Sequence, residues 1–100
     1  KVIDHTTIGS KRDKDLFDRA KIEIESQLKR DKRFALIIST VDTHPPNGLY
    51  DKRMEKFIDA KNSDLEFMIS AVDFIINDFI SFLEKQTSEM TDLMKQLGVI

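Results

Sequence analysis

The residues of this chain best suited to chemistry lie in the stretch ISTVDTHPPNG, residues 38–48. An apolar run ends there in a group of polar side chains: Ser39, Thr40, Asp42, Thr43 and His44. Two prolines and an Asn-Gly pair follow, which predicts a rigid turn. An imidazole on such a turn can donate a hydrogen bond to an anionic oxygen or ligate a metal. The alternative is that His44 caps a surface turn and has no binding role.

Several other kinds of site are excluded by composition. The chain has only three glycines, widely spaced, and no HExxH, nucleophile-elbow or EF-hand pattern. It has no cysteine, so it has neither a disulfide nor a thiolate metal site. The formal net charge is -2, and basic and acidic residues are interspersed. This pattern argues against nucleic acid as a partner.

The elements before the turn predict an α/β fold. A helix is expected over 14–30, with Asp13 as N-cap and an apolar face comprising Phe17, Ala20, Ile24 and Leu28. The run RFALIISTV, 33–41, is short, apolar and rich in β-branched residues, which favours a strand buried on both faces. Ligands of open α/β sheets bind at the carboxyl ends of strands, and His44 follows such an end.

The elements after the turn are predicted to be helical. Residues 51–60 favour a short irregular helix. Ser63 and Glu66 form a capping box for a helix over 63–85, and a last helix covers 88–97, with Gly98 at its end. The predicted order is therefore helix–strand–helix–helix. Most residues between 65 and 83 are apolar, so this helix is expected to be buried on several sides, either by oligomerisation or by parts of a larger domain.

The length of 100 residues allows one domain at most. The first residue is Lys, and the final LGVI looks like the start of a strand. Both features suggest a piece of a longer chain.

Three stretches carry a resemblance to a known family: DKDLFDRAKIEIE, DKRFALIISTVDTHPPNG and FMISAVDFIINDFISFLEK. Together they resemble the central part of the sulfatase-like catalytic domain of the alkaline phosphatase superfamily, closest to phosphoglycerol transferases and lipoteichoic acid synthases. The resemblance covers about residues 12–85 of a partial domain spanning 1–100. Its most specific element is TVDTHPP, 40–46.

The resemblance implies a metal-dependent enzyme as the parent protein. A threonine nucleophile and Mn, Mg or Zn would transfer phosphoglycerol or phosphoethanolamine, or hydrolyse a sulfate ester, on cell-envelope substrates. The implied partners are an anionic lipid head group or a glycan acceptor. The parent is expected to be membrane-anchored with an extracytoplasmic catalytic domain, and this piece to be soluble.

The resemblance places one family site residue in this chain. His44 matches the histidine that contacts phosphate or sulfate oxygens, with Asp42 and Thr43 beside it as further substrate-binding candidates. The nucleophile and the metal ligands have no counterpart here. The isolated chain is therefore expected to be inactive and to hold no cofactor.

A second interpretation remains open. The chain can instead be a non-catalytic helical interaction module that forms a homo-oligomer through helix 63–85. A Ser-Asp-His or Gly-Asp-His triplet shortly downstream in the parent protein would favour the enzyme.

Overall fold

The computed structural model describes residues 1–30 and 32–100 of the chain. It contains α1 (His5–Ile8), α2 (Asp13–Leu28), a 3₁₀ helix (Lys52–Lys56) and α3 (Asp64–Gln96). The described residues include no β-strand. The molecule measures 54 × 29 × 18 Å, and α3 accounts for the long dimension because 33 residues of α-helix extend about 50 Å.

The predicted α/β fold is wrong, and so is the strand over 33–41. This run forms neither helix nor strand, and Ile37 is 94% exposed, so the run is not buried on both faces. The physical reason is that a strand needs a neighbouring strand to satisfy its backbone N–H and C=O groups. No second strand is present in the described part of the chain. Ile38, by contrast, packs against the core.

Helix α2 follows the predicted periodicity, but its N-terminus differs from the prediction. Phe17, Ala20 and Ile24 are buried on the face that packs on α3. The N-cap is Arg12, which makes no side-chain capping bond, and Asp13 is the first helical residue. Asp13 was predicted to cap the helix; instead its carboxylate accepts hydrogen bonds from a distant loop, described below.

Helix α3 is a single element where two helices were predicted. Ser63 is its N-cap, as expected, and accepts a hydrogen bond from the N–H of Glu66 at 3.2 Å. The helix continues through the predicted break at 86–87, where neither glycine nor proline interrupts it. Within it, the Thr87 hydroxyl donates to the Leu83 carbonyl at 3.0 Å.

The C-terminal end of α3 is closed as predicted by Gly98. This glycine has a φ of 73°, and its N–H donates to Lys95 O at 3.1 Å. The next N–H, from Val99, donates to Met94 O at 2.9 Å. These two bonds form a Schellman motif, which satisfies carbonyl groups that the helix leaves without intrahelical partners.

The core lies between α2, the 3₁₀ helix and the first half of α3. It comprises Phe17, Ala20, Ile24, Met54, Phe67, Met68, Ala71, Ile75 and Phe79. The rings of Phe17 and Phe79 meet edge to face, with centroids 5.2 Å apart. Within the described residues α3 is buried only where it faces α2 and the 3₁₀ helix, since Ile69 is 53% exposed and Ile80 is 46% exposed. Burial of the remaining surface by a second copy or by a larger domain stays a prediction. Among the described residues no helix is long and apolar enough to cross a membrane.

Candidate functional site

The candidate site is the turn that carries His44. Its backbone is closed by three hydrogen bonds: His44 N–H to Val41 O at 3.0 Å, Gly48 N–H to His44 O at 2.8 Å, and Leu49 N–H to Asp42 O at 2.8 Å. Gly48 has a φ of 70°, and a Cβ there would lie 2.8 Å from the carbonyl oxygen of Asp42. The turn therefore requires glycine at this position both for its backbone conformation and for space.

The base of this turn is attached to the start of α2 by an aspartate pair, Asp13 and Asp42. The Asp13 carboxylate accepts from Val41 N–H at 2.9 Å and from Asp42 N–H at 3.0 Å. The Asp42 carboxylate accepts from Asp13 N–H at 3.1 Å. Both aspartates have no exposed surface. The Asp13 carboxylate thus satisfies the buried N–H of Asp42 and the part-buried N–H of Val41, and the Asp42 carboxylate satisfies the N–H of Asp13.

One oxygen of the pair has no partner. Oδ1 of Asp42 is buried and accepts no hydrogen bond. Burial raises the pKa of Asp42 to about 6; the bond from Asp13 N–H opposes this shift, and the Asp13 carboxylate adds to it. A buried carboxylate with only one of its oxygens satisfied favours its protonated form. We therefore expect the stability of the turn to depend on pH.

The side chain of His44 lies at the surface of the turn. The residue is exposed, and its Nδ1 lies 2.8 Å from the carbonyl oxygen of Pro45. The Pro45–Pro46 peptide bond is cis. If Nδ1 donates to Pro45 O, a neutral imidazole has an unprotonated Nε2, whereas an imidazolium has a second N–H to donate. His44 can therefore hold an anionic oxygen while it keeps its contact with Pro45 only in its protonated form.

The three predicted substrate-binding residues occupy different environments. His44 is exposed and Thr43 is half-buried, so both are accessible from solvent. The carboxylate of Asp42 is fully buried and faces the start of α2. We therefore assign Asp42 to positioning the turn, while His44 and Thr43 stay candidates for contact with a ligand.

A cluster of charged side chains around Arg53 holds the segment that follows the turn. Arg53 donates through Nη1 and Nη2 to the two carboxylate oxygens of Asp15, at 3.0 and 2.8 Å, and through Nε and Nη2 to Asp51. The Ser10 hydroxyl also donates to Asp15, at 2.6 Å. The hydrogen bonds from Arg53 are the main cause that lowers the pKa of Asp15 to about 2, and the same carboxylates raise the pKa of Arg53. This network ties the 3₁₀ helix to α2 beside the aspartate pair.

A cavity of about 400 Å³ lies between α1, the start of α2 and the segment before the turn. Ile8, Leu16 and Val41 supply apolar lining. Lys11 and Arg12 supply positive charge, and Asp4 and Asp13 supply negative charge. His44 does not line this cavity, so a ligand of the cavity and a ligand of His44 would occupy separate places.

The described residues contain no group of three or more His, Asp or Glu side chains that could hold a metal ion. Asp13, Asp15, Asp42 and Asp51 are close to one another, but their oxygens accept from backbone N–H groups and Arg53.

Sequence reasoning found the turn but not its supports. The Asp13–Asp42 contact joins residues 29 positions apart in the sequence, so no pattern of neighbouring residues predicts it. The Arg53–Asp15 contact spans 38 residues. One feature of the sequence could have indicated the aspartate pair: Asp13 lies at the start of a predicted helix, and Asp42 directly follows a predicted strand.

Neither protein-family models, curated proteins nor solved structures gave a match to this chain. The resemblance to the sulfatase-like domain therefore rests on the sequence motifs alone.

Proposed function

We propose that this chain is part of a sulfatase-like, metal-dependent enzyme that transfers phosphoglycerol or phosphoethanolamine, or hydrolyses a sulfate ester, on cell-envelope substrates. In this proposal His44 contacts the phosphate or sulfate oxygens of the substrate. The nucleophile and the divalent metal, Mn, Mg or Zn, belong to other parts of the parent protein. The parent is membrane-anchored and exposes its catalytic domain outside the cytoplasm.

The observation that carries this proposal is the aspartate pair. Asp13 lies in the first stretch that resembles the family and Asp42 in the second. Their reciprocal hydrogen bonds bring these stretches together at the base of the His44 turn. A buried polar pair of this kind costs desolvation free energy, which its hydrogen bonds offset only in one arrangement. The aspartate pair therefore supports the proposal that this turn holds the His44 side chain in a fixed position.

The chemistry open to His44 is stabilisation of negative charge. Transfer of a phosphoryl or sulfuryl group places charge on the non-bridging oxygens of the substrate, and a positioned N–H donor lowers the free energy of that transition state. The closed turn and the two prolines reduce the conformational entropy that His44 loses on binding. His44 is thus a binding and charge-stabilising residue, and no proton transfer is required of it.

The test is made in the complete gene product with a fluorescent phosphatidylglycerol and Mn. His44→Ala is expected to lower the transfer rate by about 10²–10³-fold, as for the loss of one positioned donor. His44→Gln is expected to recover part of the rate because its amide N–H can donate. Asn47→Ala, at another exposed position of the same turn, serves as the matched control and should leave the rate within about two-fold.

Melting temperatures of the same preparations separate the two interpretations of His44. A lower melting temperature with an unchanged transfer rate would make His44 a turn-capping residue. A complete gene product without a candidate nucleophile and metal ligands would overturn the enzymatic proposal itself.

A further inference from the structure

The second half of α3 carries an apolar stripe that the fold leaves uncovered. Its positions alternate in steps of four and three residues: Ile76, Ile80, Leu83, Thr87, Met90, Met94 and Leu97. This alternation over three heptads is the repeat of a coiled coil, in which every such side chain faces a partner helix. Thr87 is the one polar member, and its hydroxyl donates to the Leu83 carbonyl of the same helix, so it can lie in a seam without an unpaired donor.

The stripe is distinct from the face that α3 uses in its own core. Phe79 and Ile75 point toward α2 and are 8% and 6% exposed. The six apolar residues of the stripe are 36–69% exposed, and Thr87 is exposed as well. Helix α3 therefore has two apolar faces, and the described part of the chain covers one of them.

We propose that the stripe is the interface through which two copies of this chain associate. A heptad seam is complementary to another heptad seam, and a second copy supplies one of the same length and spacing. The exposed area of the six apolar side chains from two copies amounts to on the order of 1,000 Å², which reaches the lower limit of a specific interface. This association is independent of the proposed function of His44.

The charges beside the stripe favour an antiparallel arrangement. Glu84 and Lys95 lie on the flank of the stripe away from Phe79. An antiparallel register that pairs Ile80 with Leu97 of the second copy brings Glu84 within about 3 Å, along the axis, of Lys95 of that copy. A parallel register leaves the two charges about 16 Å apart along the axis. The antiparallel pairing thus adds two opposite-charge contacts at the rim.

The stripe lies further towards the C-terminus of α3 than the contact expected from the sequence. The helix 63–85 was expected to be the contact, but its first half packs on α2 and the 3₁₀ helix. The free seam begins at Ile76 and continues to Leu97.

The first experiment measures the molecular mass by sedimentation equilibrium from about 10 µM to about 1 mM, the range in which small interfaces associate. The unmodified chain is expected to form a dimer within this range. Ile80→Lys combined with Leu83→Lys should give a monomer with an unchanged helical circular dichroism spectrum. Ser88→Lys combined with Gln96→Lys adds the same charge at exposed positions outside the stripe and should keep the dimer.

The second experiment uses the absence of native cysteine in the chain. Ile80→Cys and Leu97→Cys proteins, mixed and oxidised, should form a disulfide between the two variants, while Ile80→Cys alone should form none. A chain that stays monomeric at the highest concentration, or a dimer that survives both stripe lysines, would overturn the proposal. Efficient cross-linking of Ile80→Cys to itself would overturn the antiparallel arrangement.

Discussion

Asp13 and Asp42 each bind the backbone N–H of the other, at 3.0 and 3.1 Å, across 29 residues of sequence. This relationship joins the first turn of α2 to the base of the His44 turn and excludes solvent from both carboxylates. The stability of the chain and the geometry of its candidate site therefore depend on the same buried contact.

The protonation of Asp42 should make stability depend on pH. Its pKa is raised from 3.8 to about 6 in the folded state, mainly by burial, so the folded state binds the proton more tightly than the unfolded state. The contribution of Asp42 protonation to the free energy of unfolding is fully present below pH 3.8 and is lost as pH rises through about 6. The loss is on the order of 3 kcal/mol.

Asp42→Asn tests this pH dependence. The amide keeps a carbonyl oxygen for Asp13 N–H but does not titrate. Urea unfolding from pH 4 to pH 8 should show a falling free energy of unfolding for the unmodified chain and a much flatter profile for Asp42→Asn. Equal slopes for the two proteins would place the titrating group elsewhere.

Asp13→Ala should destabilise the chain by about 2–4 kcal/mol. It leaves the N–H groups of Val41 and Asp42 without their carboxylate acceptor, and at least the second is buried. Asp18→Ala, on the same helix, removes only an exposed contact with Lys14 and should cost less than about 0.5 kcal/mol. Chemical denaturation at pH 5 measures both; similar losses would contradict the role of the pair.

Arg53→Lys should lower the free energy of unfolding by about 1 kcal/mol. This effect is small because the Arg53 side chain is 45% exposed, so solvent screens its ion pairs. Lysine cannot reproduce the two parallel bonds to Asp15. These bonds hold the pKa of Asp15 at about 2, below its usual 3.8, so their contribution is present above pH 3.8 and is lost as pH falls toward 2. The defect measured by urea unfolding at pH 5 should therefore shrink at pH 2.5, and a defect independent of pH would count against the ion pair.

Gly48→Ala should destabilise the chain more than Gly9→Ala. Both glycines have positive φ, 70° and 80°, which costs an alanine about 1 kcal/mol. At Gly48 the added Cβ also meets the carbonyl oxygen of Asp42 at 2.8 Å, whereas nothing lies within 4 Å at Gly9. The difference between the two variants in thermal unfolding measures that clash, and a difference near zero would show that the turn can relax.

The sequence alone determined the features that depend on neighbouring residues. The spacing of Phe17, Ala20 and Ile24 gave the buried face of α2, since helical period and apolar pattern are local properties. Ser63 was predicted to begin a helix over 63–85 and Gly98 to end a separate helix over 88–97. Both capping residues are confirmed, because capping bonds join residues only three to five positions apart, but the two helices are one. The short helix expected within 51–60 is confirmed as the 3₁₀ helix for the same reason.

The tertiary structure decided what depends on distant partners. Residues 33–41 have the composition of a strand, but a strand exists only beside another strand, and none is present in the described part of the chain. Aspartate is a residue type that is preferred at the N-cap, but the Asp13 carboxylate accepts hydrogen bonds from N–H groups 28 and 29 residues away. These long-range contacts form only when α2 packs on α3. The local pattern of residue types does not specify how the two helices pack.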